Sequence, residues 1–208
     1  FFKFGFFSFF LFLLILLYMF IRYYNIYETA QEALRSSGAS ADSVHGSLLA
    51  IGQLLANTGD FIMPRFNEIC DTIIRHKDHR DRLVKNTVVT LVPNLAEFSP
   101  FSFVGGGYLD VTLKHLLQLV TKVETRASAF LSLGRLAVAV GKQIEKHLPE
   151  IIPLLQDGLS PTSRRGFCLQ ALKCTSDLAK ASGPALKIYM DDLLEQMFAN
   201  GVSEGLAR

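Results

Sequence analysis

Apolar residues recur along this chain at helical intervals. Phe130, Leu133, Ala137 and Val140 are separated by steps of 3, 4 and 3. Cys168, Ala171, Leu172, Thr175, Leu178 and Ala179 show steps of 3, 1, 3, 3 and 1. Both sets lie along one face of a helix of 3.6 residues per turn, and no comparable strand alternation appears beyond Tyr27. Gly59, Pro100, Gly141 and Gly183 punctuate the pattern at intervals of 41, 41 and 42 residues. The register between these marks repeats too. Ile51-Gly52-Gln53-Leu54 precedes Leu133-Gly134-Arg135-Leu136 by 82 residues, with Val92-Pro93-Asn94-Leu95 midway. Each segment is predicted on the second helix of a pair, which the mark then stops. First helices are predicted from Met63 to Arg75, Tyr108 to Val120, His147 to Gln156 and Ile188 to Phe198.

A two-helix unit returning about every 40 to 47 residues predicts an all-α, HEAT- or armadillo-like solenoid of antiparallel helix pairs. Four to five pairs fit between residues 27 and 208. One pair cannot bury both of its apolar faces, so each needs neighbours above and below. Pro149 and Pro153 remove backbone donors from a first helix and predict a bend there. A closed helical bundle offers no reason for a constant 41-residue register.

Residues 1–24 differ from the rest of the chain. Nine of the 17 Phe lie within the first 20 positions, and residues 4–21 are apolar except for Gly5 and Ser8. Lys3 and Arg22-Tyr23-Tyr24 flank the run. Eighteen helical residues span about 27 Å, close to a bilayer's hydrocarbon thickness. The segment is expected to be a separate hydrophobic helix, either a transmembrane span or signal-anchor, or else translated pyrimidine-rich sequence wrongly joined to the reading frame. The first residue is Phe1, and a further helix is expected after Asn200-Gly201, so the chain reads as a fragment of a longer protein.

Charge and candidate chemistry add little. With 21 Lys+Arg against 19 Asp+Glu, a net +2 creates no field for nucleic acid. Cys70, Cys168 and Cys174 fall among helical apolar positions and read as reduced core thiols. His79-Arg80-Asp81 with Asn86 matches the catalytic-loop pattern of protein kinases. It has no Gly-rich loop or Val-Ala-Ile-Lys before it and no Asp-Phe-Gly after it, so it reads as a solvated turn from Arg75 to Arg82. A surface metal site at His76 and His79 with Asp78 and Asp81 is opposed by Arg75, Lys77, Arg80, Arg82 and Lys85. Gly105-Gly106-Gly107 lacks the Gly-Lys-Ser/Thr ending of a phosphate loop and reads as an inter-repeat loop. Ser99-Pro100 and Ser160-Pro161-Thr162-Ser163-Arg164-Arg165 are turns that a kinase could modify. No catalytic, cofactor-binding or metal-binding residue is assigned.

From about Tyr27 to Arg208 the chain resembles the N-terminal HEAT region of the target-of-rapamycin (TOR) kinase family. The resemblance is carried by His45-Gly46-Ser47-Leu48-Leu49, Phe66 to Arg75, and the run from Val88 through Pro93 to Pro100. Tyr108-Leu109, Arg126 to Phe130, Leu136 to Val140 and Met190 to Gly201 complete it. Residues 1–24 depart from the family. The resemblance implies an interaction scaffold within a serine/threonine protein kinase whose catalytic domain lies far C-terminal, so no ATP-binding or catalytic residue is carried over. It also implies a dimeric parent complex, Raptor-type or Rictor-type subunits as partners, and nutrient signalling on endolysosomal or vacuolar membranes. The competing expectations are a membrane-anchored helical adaptor using residues 4–21 and a small standalone kinase built on His79-Arg80-Asp81.

Overall fold

Helices form where the apolar period predicts them, stop at Gly59, Pro100 and Gly141, and break beside Gly183. The computed structural model describes residue 18, residues 21–160 and residues 168–199. The first helix, α1, runs through residues 21–35. After it come α2 (Ala41–Asn57), α3 (Phe66–Arg75), α4 (Arg82–Phe98), α5 (Pro100–Gly105), α6 (Tyr108–Val120), α7 (Val123–Val140), α8 (Leu148–Leu159), α9 (Leu169–Leu186) and α10 (Met190–Ala199). No strand occurs among the described residues.

The stops have identifiable backbone causes. Gly141 takes φ +57 immediately after α7, and Gly59 takes φ +52 just past α2, a region that a side chain disfavours. Pro100 cannot continue α4 and instead opens the short α5. In α9 the break falls at Ser182 (φ −143, ψ 38), beside Gly183 and two residues before Pro184. Pro149 sits in the first turn of α8, where a missing N–H costs nothing, and Pro153 lies inside that helix. Three first helices begin later than expected. Gly59–Arg65, Gly141–His147 and Lys187–Tyr189 are 3-10 turns, so α3 starts at Phe66, α8 at Leu148 and α10 at Met190.

The packing is a double row. The second helices touch in sequence, α2 on α4, α4 on α7, and α7 on α9, with no comparable contact between α2 and α7 or between α4 and α9. In the other row α1 meets α3 through the Arg35–Glu68 ion pair, α3 meets α6, α6 meets α8, and α8 meets α10. This is a HEAT-like solenoid. Its repeat is written in its hydrogen bonds. Thr72 Oγ1 donates to Gln31 Oε1 (3.3 Å), Tyr108 OH to the Asn67 carbonyl (3.2 Å), and Arg135 to Asn94 Oδ1 (2.7 Å), each across 41 residues.

One continuous apolar core fills the space between the rows, from Tyr27 and Leu34 to Leu186 and Leu193. Ile51, Val92, Leu133 and Cys174, each 41 residues after the last, are all buried, which bears out the repeated register. All three cysteines are free and buried, and burial pushes the Cys70 and Cys174 thiols far above their ordinary range. One position departs from the expected pattern. Ala179 faces solvent, while the nearby Asp177 is buried in its place.

The rest of the apolar run at residues 4–21 lies outside the described residues, apart from positions 18 and 21. Among the described residues, no helix is long and apolar enough to cross a membrane. Helix α1 itself is docked: Tyr27 is buried, and the Arg65 guanidinium lies 4.9 Å from its ring centre and 5.4 Å from that of Tyr24.

Candidate binding faces

The kinase-like triplet is consumed by helix capping. Asp81 is the N-cap of α4, and its Oδ1 accepts from the N–H groups of Leu83 (2.8 Å) and Val84 (3.1 Å). The Asp81 N–H in turn donates to His79 Nδ1 at 3.0 Å. Asn86 lies one turn into the same helix. Replacing Asp81 with alanine is expected to lower stability by about 1 kcal/mol, with Asp81→Ser or Asp81→Asn retaining most of it, in chemical denaturation.

The other motif residues are equally committed. His76 Nδ1 lies 2.8 Å from the Thr72 carbonyl, and no group of three potential metal ligands occurs among the described residues. Gly107 adopts φ +75 to turn the chain from α5 into α6. Ser99 is buried at the end of α4, so the Ser99-Pro100 turn is closed to modification in the folded state. The turn from Pro161 to Arg165 lies outside the described residues.

What the fold leaves open is the face of the second-helix row. A groove of about 560 Å³ crosses α4, α7 and α9, lined by Thr90, Leu131, Arg135, Val138 and Lys180 among others. A second hollow of about 430 Å³ extends it to Leu55 of α2 and shares Glu97 and Arg135 with it. Leu131 and Val138 are 43% and 48% exposed, apolar surface at the groove floor. Arg135 fixes the centre with a forked pair to Glu97, at 2.9 Å and 2.8 Å from its two carboxylate oxygens.

At the far end of this groove the buried Asp177 carboxylate accepts from Lys173 Nζ (2.7 Å) and Lys180 Nζ (3.2 Å). Burial disfavours its charge, but the two lysine hydrogen bonds outweigh burial and hold the carboxyl below the usual carboxylate range. A lowered folded-state pKa stabilises above the unfolded value and is lost as pH falls through the folded one. Asp177→Asn is therefore expected to flatten the loss of stability between about pH 5 and pH 2, measured by thermal melts across that range.

Similarity to known proteins agrees with this architecture. Residues 106–208 match the family described as importin subunit beta-1-like, TPR repeats. Over 180 residues, 86% of its length, the chain is 38% identical to the serine/threonine-protein kinase TOR of Arabidopsis thaliana. Over 181 residues it is 40% identical to that of Oryza sativa subsp. japonica. Over this stretch the chain is a homologue of the TOR kinases. The serine/threonine-protein kinase tor1 of Schizosaccharomyces pombe extends the relation, at 35% identity over 65% of the chain. The chain spans about 7% of the length of the two plant TOR proteins. The matched part of TOR is its N-terminal repeat region and not the kinase domain, in keeping with the capping role of Asp81.

Sequence reasoning found the TOR-like register but missed the polar ties. The buried Arg126, whose guanidinium lies 2.8 Å from Asp157 Oδ2, and the Arg135–Glu97 fork both join different repeats. No spacing along the chain announces such pairs.

Proposed function

We propose that this chain is an interaction scaffold, a TOR-type HEAT segment whose second-helix face grips partner subunits in nutrient and growth signalling. The observation that carries the reading is the groove over α4, α7 and α9, where Leu131 and Val138 lie exposed on a rigid row of helices. A few anchor side chains entering such a groove would carry most of the affinity. The kinase activity named for the relatives is assigned to a domain outside this stretch. By homology with TOR, the partners are Raptor-type or Rictor-type subunits, the parent chain is a dimer, and the location is cytoplasmic, on endolysosomal or vacuolar membranes.

Purified Raptor-type and Rictor-type subunits, each titrated with the 208-residue chain, test this. One of them is expected to bind, and Leu131→Glu with Val138→Glu is expected to weaken binding by about tenfold or more. Absence of binding to both subunits would refute the reading. The rival, a membrane-anchored adaptor, rests on residues 4–21, and detergent dependence of the whole chain compared with residues 27–208 separates the two.

A further inference from the structure

A second concavity lies on a different part of the solenoid, where the turn between α3 and α4 faces the turn between α6 and α7. It measures about 370 Å³. Its lining is cationic: Lys77, Arg82 and Lys85 come from one repeat and Lys122 from the next. Lys77 is paired with Asp78. Among the described residues Arg82, Lys85 and Lys122 form no ion pair, and Glu124 is the other acid in the lining.

These charges act on one another across the gap. The half-buried His115 of α6 has its Nδ1 4.0 Å from Asp78 Oδ1, and both Lys77 and Lys122 bear on it electrostatically. Four cations face two carboxylates, Asp78 and Glu124, so the lining keeps an excess of positive charge that an entering anion would neutralise. The side-chain amides of Asn86 and Gln118 add neutral hydrogen-bond donors to the same lining. The volume is that of a small-molecule site, too small for a folded partner.

We propose that this cleft binds a small ligand carrying two or more phosphate groups, held by Arg82, Lys85 and Lys122 across the joint between two repeats. Such a ligand ties the α3–α4 pair to the α6–α7 pair and stiffens the solenoid at that joint. Arg82 supplies a planar two-pronged donor, and the two lysines supply point charges.

The test uses the 208-residue chain in two arms. In the first, tripolyphosphate is titrated by calorimetry. In the second, phosphatidylcholine vesicles are compared with and without a phosphatidylinositol bisphosphate. Saturable binding of tripolyphosphate supports a free ligand, and vesicle binding that requires the phosphoinositide supports a lipid headgroup. In either case the Arg82→Ala, Lys85→Ala, Lys122→Ala variant is expected to bind at least about tenfold more weakly, about 1.4 kcal/mol. A Lys142→Ala, Lys187→Ala control at exposed positions elsewhere is expected to bind as the parent does.

His115 gives a readout that general charge loss would not move. Burial lowers its pKa first, Lys77 and Lys122 lower it further, and Asp78 opposes them. An anion seated between the lysines is expected to raise it, seen as a shift of its ring-proton titration by NMR. The proposal is overturned if neither probe binds. It is also overturned if the triple variant binds as the parent does, if the control loses as much, or if the His115 titration stays fixed at saturation.

Discussion

Phe130→Ala is expected to lower the unfolding free energy by about 3–5 kcal/mol, the range for emptying a fully buried aromatic site. Phe130 is on α7 with no exposed surface. Its ring also defines the joint to the next repeat, since a Cβ built on Gly158 of α8 would lie 2.8 Å from its tip and 2.9 Å from Ala171 of α9. Three helices from two repeats therefore close on this one ring. Its removal leaves a cavity that rigid neighbours cannot collapse, because each is held by its own repeat. The neighbouring Leu131 on the same helix is 43% exposed, and Leu131→Ala is expected to cost under about 1 kcal/mol. Urea denaturation followed by circular dichroism compares the two. Equal costs would mean that the joint does not close as described.

The second large effect is expected at Gly134, where the change is an added side chain. A Cβ there would lie 3.1 Å from the Cys174 Cα and 3.0 Å from Asp177 Oδ2, both on α9. The first of these is backbone and cannot swing aside. Gly134→Val is expected to destabilise by about 3 kcal/mol by forcing α7 and α9 apart. Gly46, inside α2, provides the opposite sign: nothing lies within 4 Å of its Cβ position, so Gly46→Ala gains helix propensity, about 1 kcal/mol. Thermal melts of the two variants should shift in opposite directions.

This pair also shows how much of the fold was legible. At Gly52 and Gly134, 82 residues apart, an added Cβ would run into the next second helix, at Leu91 of α4 and Cys174 of α9, so a small residue at that register has a steric cause. The stops at Gly59, Pro100 and Gly141, and the break in α9 beside Gly183, were legible because backbone geometry at a helix end is local. The burial of Asp177 in preference to Ala179 was not legible. It depends on how near α9 approaches α7 and on Lys173 and Lys180 bracketing the carboxylate, which a period count does not contain. Only the last residues of the 3-10 turns, Met63 to Arg65, His147 and Ile188 to Tyr189, were absorbed into predicted first helices, because a 3-10 turn at a helix start keeps nearly the same apolar spacing. The binding faces needed the structure altogether. The cationic cleft joins Lys85 to Lys122, and the groove joins Leu131 to Lys180, through the stacking of separate repeats.

The row arrangement itself is tested most directly by distances between equivalent positions. Gln53, Arg135 and Ser176 are exposed and occupy one register on α2, α7 and α9. Spin labels at Gln53→Cys with Arg135→Cys, and at Gln53→Cys with Ser176→Cys, report two and three helix spacings by pulsed electron resonance. Packed helices lie about 8–10 Å apart, so separations of about 20 Å and then about 30 Å are predicted, growing with each step. If the second distance equals or falls below the first, the helices close around a common centre and the solenoid is contradicted.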